Sequence, residues 1–183
     1  QLRPIAGTRP YGSNNRENQR YAKELSSDPK ERAEHMMLLD LGRNDIGRVA
    51  EEGSVSVPRQ MYVQRFSSVM HLVSDIEGRL KSTKNMFDVF RSCFPAGTLS
   101  GAPKVRAAEL ISRIEKKQRG LYGGAVGYFD CSGSMDFAIA IRSLVYRDGM
   151  AYIQAGAGIV HDSVPERENE ECMHKARSCI SVL

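Results

Sequence analysis

The 183 residues carry 26 Lys and Arg against 22 Asp and Glu, a net charge of +4, with 41% hydrophobic and 26% charged residues. That balance is ordinary for a soluble globular chain and too mild for a nucleic-acid binder, yet it leaves cations for an anionic small molecule. No apolar run approaches the ~18 residues that span a bilayer and no signal peptide opens the chain, so no membrane is expected. Cys93, Cys131, Cys172 and Cys179 lack metal-ligand spacing and read as reduced thiols of a cytosolic, cytoplasmic protein. The chain starts at Gln1-Leu-Arg-Pro without a methionine and is expected to be a piece of something longer.

Residues 1–15 read as extended chain and turns, through Pro4-Ile-Ala-Gly-Thr-Arg-Pro10 and Gly12-Ser-Asn-Asn15. Gly7 and Thr8 can offer backbone N–H groups and a hydroxyl to an anion, or form a plain loop. Asp28-Pro-Lys-Glu31 predicts a helix start, with Asp28 as cap, Pro29 in the first turn and Glu31 reaching back. The helix runs to about Asn44, with Ala33, Met36, Met37 and the Leu39–Leu41 region on its core side. Glu31 and Glu34 share a face, and Glu34 stands in line with Leu38 and Leu41. Such a carboxylate is either buried with a partner or metal, or snorkels to water.

Strands are expected over Ser54–Val57, Met61–Phe66 and Val69–Ile76. In the last, Val69, His71 and Val73 fall on one face and Met70, Leu72 and Ser74 on the other. A lone histidine so placed is more often a satisfied core residue than a catalyst. A short helix over about Lys84–Cys93 leads into Phe94-Pro-Ala-Gly-Thr-Leu-Ser-Gly-Ala-Pro103, a loop that opens a helix over about 103–118. A Gly, Thr and Ser loop before a helix suits an anion, although this one is not a Walker A sequence.

Residues 126–129, 136–146 and 150–154 predict a three-stranded antiparallel meander, with turns at Ser132-Gly133 and Asp148-Gly149. Arg142, in its middle strand, points to water or to an anion, and the pattern does not choose. The meander delivers Gly156-Ala157-Gly158, whose bare backbone can approach a ligand. Pro165 starts a last helix over about 165–181, on which Glu168, Glu171 and Lys175 share one face. That face is either a metal and anion site or a solvated surface with an ordinary Glu171–Lys175 pair.

Together these segments resemble the chorismate-utilising enzymes, most closely the synthase subunits (component I) of anthranilate synthases. The resemblance is carried by Pro4–Thr8, Glu31–Asp45, Ser68–Ser74, Phe94–Arg106, Gly120–Tyr128, Ile139–Ser143, Gln154–Val160 and the Glu168, Glu171, Lys175-Ala176 set. It spans all 183 residues in order, and these subunits are much longer, so the chain is read as 1–183, the C-terminal part of a chorismate-binding catalytic domain. The fold it implies is α/β (α+β), with mostly antiparallel sheets flanked by helices. It implies Mg²⁺ on Glu34 and Glu171, with Glu31 and Glu168 nearby. It places Gly7, Thr8, Tyr122, Arg142, Gly156, Ala157, Gly158 and Lys175 against chorismate, and His71 and Thr98 beside the reacting ring. The implied reaction, in tryptophan biosynthesis, makes anthranilate and pyruvate from chorismate and ammonia delivered by a glutamine amidotransferase partner. Assembly with further copies of itself is left open.

Ala6 argues against aminodeoxychorismate synthase, whose members usually carry a nucleophilic lysine there. The intact Gly97-Thr-Leu-Ser-Gly-Ala-Pro103 loop argues against isochorismate and salicylate synthases. Departures from the family pattern at Tyr11, His161 and Cys172 lie beside the motif residues. An acidic catalytic residue and most of the tryptophan site are expected outside this chain. The 183-residue piece alone is therefore expected to be inactive, and a non-catalytic truncated binding module is the rival of another class.

Overall fold

A computed structural model describes residues 1–183 except 67, 68 and 162, and omits the side chain of 178. Ser68, first residue of the Ser68–Ser74 stretch, therefore lies outside the described residues. The chain divides into two compact units, Gln1–Thr98 and Leu99–Leu183. Their elements give the expected mixed α/β class with antiparallel sheets.

The first unit contains β1 (Ile5–Pro10), α1 (Asn15–Ser27), α2 (Pro29–Gly47), β2 (Ser56–Arg65), β3 (Val69–Glu77) and α3 (Met86–Cys93). Its antiparallel sheet has the order β1-β3-β2, so β3 is central and holds the fully buried Met70, Leu72, Val73, Ser74 and Ile76. Leu25 of α1 packs on Met70 and Leu72, and Leu39 and Ile46 of α2 pack with Ile76 and Ala50. The β1–β3 register slips between Ala6 and Thr8, where Gly7 takes φ +68°, and Thr8 then stands opposite His71.

Three expectations change here. Helix α1 was not foreseen, because its polar sequence hides a cap in which Asn14 accepts the Glu17 N–H. The two strands expected over 54–66 are one strand, β2, which tolerates Pro58 because it lies at the sheet edge. Two register shifts bend it, and Met61 there takes φ +51°. The core face of α2 is His35, Leu38, Leu39, Gly42, Asp45 and Ile46, whereas Ala33 and Met36 are exposed. Gly42 sets that face: a Cβ there would lie 2.6 Å from Ile76 Cδ1 and 3.0 Å from Leu2 Cδ2.

α4 (Gly97–Ser100) crosses the division between the units, so part of the expected loop is a helical turn. The second unit continues with α5 (Lys104–Ile114), β4 (Ala125–Phe129), β5 (Met135–Ile139), β6 (Leu144–Arg147), β7 (Met150–Ile153) and α6 (Pro165–Ile180). α5 stops about a turn before its expected end, because Glu115 is already extended at ψ 118°. The meander is instead two separate hairpins, β4–β5 and β6–β7. The chain breaks at residues 140–143: Ala140 N donates to Gly124 O at 2.9 Å, its carbonyl accepts from Gly123 N at 3.0 Å, and Arg142 takes φ +52°. Arg142 is thus not in a strand. Among the described residues no helix is long and apolar enough to cross a membrane.

Candidate functional site

In the first unit, the start of α2 is tied to β1 through Arg9. Asp28 caps α2 by accepting from Lys30 N at 3.0 Å and Glu31 N at 3.2 Å. The expected return contact from Glu31 does not form, since Asp28's own N–H goes to Glu24 O. The Glu31 carboxylate instead accepts from Arg9 Nη1 at 3.1 Å, while Arg9 Nη2 donates to Asp28 Oδ2 at 2.8 Å and Nη1 to Thr8 O at 2.9 Å. Gly7 sits under this clamp: a Cβ there would fall 2.8 Å from both Glu31 Oε2 and Leu25 Cδ1.

His71 is half-buried, with Phe66 edge-on at 5.3 Å. Its Nδ1 lies 2.8 Å from Gly7 O and 3.3 Å from Thr8 Oγ1. A carbonyl only accepts, so Nδ1 carries the proton and in the neutral ring Nε2 is left with a bare lone pair. Among the described residues the histidine is therefore hydrogen-bonded at Nδ1 and has no hydrogen-bond partner at Nε2.

Glu34 is half-buried one turn after Glu31. Beside it His35 is fully buried, its Nε2 2.7 Å from Ser74 Oγ, which also accepts from Met61 N at 2.9 Å. Burial pushes the His35 pKa down, so the ring is neutral. Its Nδ1 has no hydrogen-bond partner among the described residues. Thr98 lies exposed in α4.

In the second unit, Tyr122, Gly156, Glu171 and Lys175 come together. A Cβ on Gly156 would lie 2.8 Å from the Tyr122 hydroxyl oxygen. Lys175 Nζ donates to Gly156 O at 3.1 Å and is ion-paired with Glu171 one turn back on α6. Glu168 is 5% exposed, a turn before Glu171. Ala157 is half-buried and Gly158 exposed. Burial pushes the Tyr122 pKa up, and the charges of Arg119 and Arg142 offset part of that rise. Arg142 itself is exposed.

Neither the Arg9 clamp nor Arg119 was singled out from the sequence. Arg119 donates through Nε and Nη2 to both oxygens of Glu115, at 2.8 and 2.6 Å, and through Nη1 to Leu99 O at 2.6 Å. The only signal was the i,i+4 spacing of Glu115 and Arg119, which is common on surfaces.

Among the described residues, neither unit on its own gathers three or more His, Cys, Asp or Glu side chains around a metal position. Each does supply a pair of carboxylates one helical turn apart, Glu31 with Glu34 and Glu168 with Glu171. Hard oxygen donors of this kind suit Mg²⁺, which binds through one or two carboxylates and keeps room for waters and substrate oxygens.

The family description that matches is chorismate binding enzyme, over residues 1–181. The anthranilate synthase component 1 of Aquifex aeolicus is 54% identical over 183 residues, covering 100% of this chain and 37% of the relative. Among solved structures, anthranilate synthase component I from Streptococcus pneumoniae superposes with a TM-score of 0.87 at 47% identity, covering 97% of this chain and 39% of that one. A 2,3-dihydroxybenzoate-specific isochorismate synthase from Bacillus anthracis gives 0.86 at 27% identity, covering 98% and 48%. The chain spans about a third of the length of the curated relatives it matches, 34 to 37%.

Proposed function

The chain belongs to the chorismate binding enzymes, and on that premise we propose that it is the C-terminal part of an anthranilate synthase synthase subunit, a cytoplasmic lyase of tryptophan biosynthesis. The observation that carries the choice is identity: 54% to an anthranilate synthase component along the whole chain, and 47% to a solved anthranilate synthase component I against 27% to an isochorismate synthase of nearly the same TM-score. Ala6 supports it, because an alanine side chain cannot supply the amine nucleophile of the aminodeoxychorismate route.

In the proposed reaction ammonia, supplied by a glutamine amidotransferase partner, adds to the chorismate ring as the 4-hydroxyl leaves, and loss of a ring proton with pyruvate leaves anthranilate. Chorismate is a dianion. Arg142, Lys175 and the backbone of Gly7, Thr8 and Gly156-Ala157-Gly158 bind and orient its carboxylates, since cations and preset N–H groups hold carboxylates best with little water present. Tyr122, a neutral phenol whose pKa burial raises further, donates a hydrogen bond from its hydroxyl. His71, with Nδ1–H held by Gly7 O, receives a proton at Nε2 and returns it, and Thr98 lies beside the ring. Glu34 and Glu171, with Glu31 and Glu168 assisting, would hold Mg²⁺, which would supply positive charge to orient a substrate carboxylate and offset the charge of the departing hydroxyl.

The test is the full-length protein with chorismate, Mg²⁺ and an ammonium salt, followed by anthranilate fluorescence. Anthranilate is expected; accumulation of aminodeoxychorismate or isochorismate would overturn the reading. The 183-residue piece on its own is expected to give no turnover in the same assay.

A further inference from the structure

We propose that Arg119 is a positioning residue, fixing Tyr122 and the turn at Leu99 relative to each other. The proposal rests on the reading of Tyr122 as a substrate contact. Arg119 is not an ordinary helical ion pair. α5 ends at Ile114 and Glu115 is extended, so the pair spans a turn rather than a helix face. The side chains are 26% and 35% exposed, and the contact of Nη1 with Leu99 O is partly buried.

The geometry assigns each edge of the guanidinium a separate job. The two-point contact of Nε and Nη2 with Glu115 fixes the plane of the group. With the plane fixed, Nη1 is aimed at the Leu99 carbonyl at 2.6 Å. The Cζ at the centre of the same group lies over the Tyr122 ring, 5.6 Å from its centre. Three segments, at residues 99, 115 and 122, are thereby referred to one rigid plane. Leu99 directly follows Thr98 in the chain, and the Tyr122 hydroxyl abuts Gly156.

Lysine cannot substitute. Its ammonium is one point with no plane, so it can hold Glu115 or Leu99 O but cannot hold both in fixed directions while standing over the ring. An unpositioned Tyr122 should reduce catalysis without unfolding the unit, because displacements of about 1 Å near a reacting group can lower rates ~100-fold.

The experiment is a double-mutant cycle in the full-length protein, with Arg119→Lys, Tyr122→Phe and the pair, measuring kcat and KM for chorismate. Arg119→Lys alone is expected to lower kcat/KM tenfold or more. In the Tyr122→Phe background it is expected to add less than about a threefold loss, because the group it positions has lost its function. Equal losses in both backgrounds would overturn the proposal and leave Arg119 as a brace. Amide hydrogen exchange over residues 97–103 is read in parallel, and faster exchange in Arg119→Lys is expected whatever reaction the enzyme runs. Unchanged exchange would also overturn the proposal. A wild-type protein that makes no anthranilate refutes the proposed function, and the exchange result then decides the tether by itself.

Discussion

Gly156→Ala isolates the contact between the glycine turn and Tyr122. Gly156 does not need the left-handed conformation, so alanine fits its backbone and the effect is confined to the added methyl. That methyl carbon would lie 2.8 Å from the Tyr122 oxygen and 3.8 Å from Cζ. Non-bonded contacts become favourable from about 3.5 Å, so the hydroxyl must retreat by roughly 0.7 Å. The obstacle is the far end of a side chain, which can swing, so stability should fall by no more than about 1 kcal/mol. Catalysis should suffer more: a displacement approaching 1 Å in a substrate contact predicts at least a ~10-fold loss of kcat/KM, or about 1.4 kcal/mol of transition-state stabilisation. The assay is anthranilate fluorescence on the full-length protein, with thermal denaturation as the control. Tyr122→Phe removes the oxygen, so Gly156→Ala in that background should be no worse than Tyr122→Phe alone. Wild-type kinetics for Gly156→Ala, or the same loss in both backgrounds, would refute the steric argument.

Glu171→Ala should abolish Mg²⁺-dependent turnover in the full-length protein while leaving it folded, because its partly exposed pair with Lys175 is worth under ~1 kcal/mol. Retained activity with an unchanged magnesium response would mean that this face of α6 is only surface. Ser74→Ala removes the oxygen shared by His35 Nε2 and Met61 N–H. Unpairing those groups should lower the stability of the first unit by about 2–4 kcal/mol, read from the urea midpoint. Asp75 gives a pH test. Burial alone would raise its pKa, but Nε–H donation from Arg59 and Arg3, each at 2.8 Å, outweighs this and holds it below the usual carboxylate value. A lowered folded pKa contributes stability above the unfolded value of about 3.9 and loses it as the pH falls through the folded one. Asp75→Asn should flatten that acid segment of the stability curve, and an unchanged acid profile would count against the pairing.

What the sequence made legible was whatever a short stretch decides by itself. Asp28-Pro29 caps and starts α2, Pro165 opens α6, and Glu168, Glu171 and Lys175 share a face because a helix has a fixed pitch. Partners far apart in the chain were not legible. Glu31 was expected to close a local capping box, yet the Arg9 guanidinium, brought over by the β1–β3 pairing, takes its carboxylate instead. Arg142 was expected in the middle strand, where it stands among Ile139, Ile141 and Leu144. The backbone instead turns there, since Ala140 is already bonded to Gly123 and Gly124. His71 was read as a core residue by pattern, and only the slip at Gly7 brings a carbonyl to its Nδ1.

These distant partners also rank the candidate metal ligands, which spacing alone leaves equal. Glu31 and Glu171 are each paired with a cation, so a divalent ion arriving at either must compete with one. The two competitors are not alike. Arg9 is held by Asp28 and the Thr8 carbonyl as well as by Glu31, and Glu31 packs on Gly7 where no side chain fits. Pulling Glu31 toward a metal would strain a clamp that also fixes the start of α2. Lys175 has a ready second acceptor in Gly156 O at 3.1 Å, so it can yield Glu171 and remain hydrogen-bonded. That ammonium then remains on the glycine turn. On the proposed Mg²⁺ reading, this exchange makes Glu171 the easier direct ligand, while Glu31 stays tied to Arg9. Loss of the Glu31 carboxylate should accordingly weaken folding at the first turn of α2 more than it weakens magnesium binding, the reverse of what loss of the Glu171 carboxylate should do.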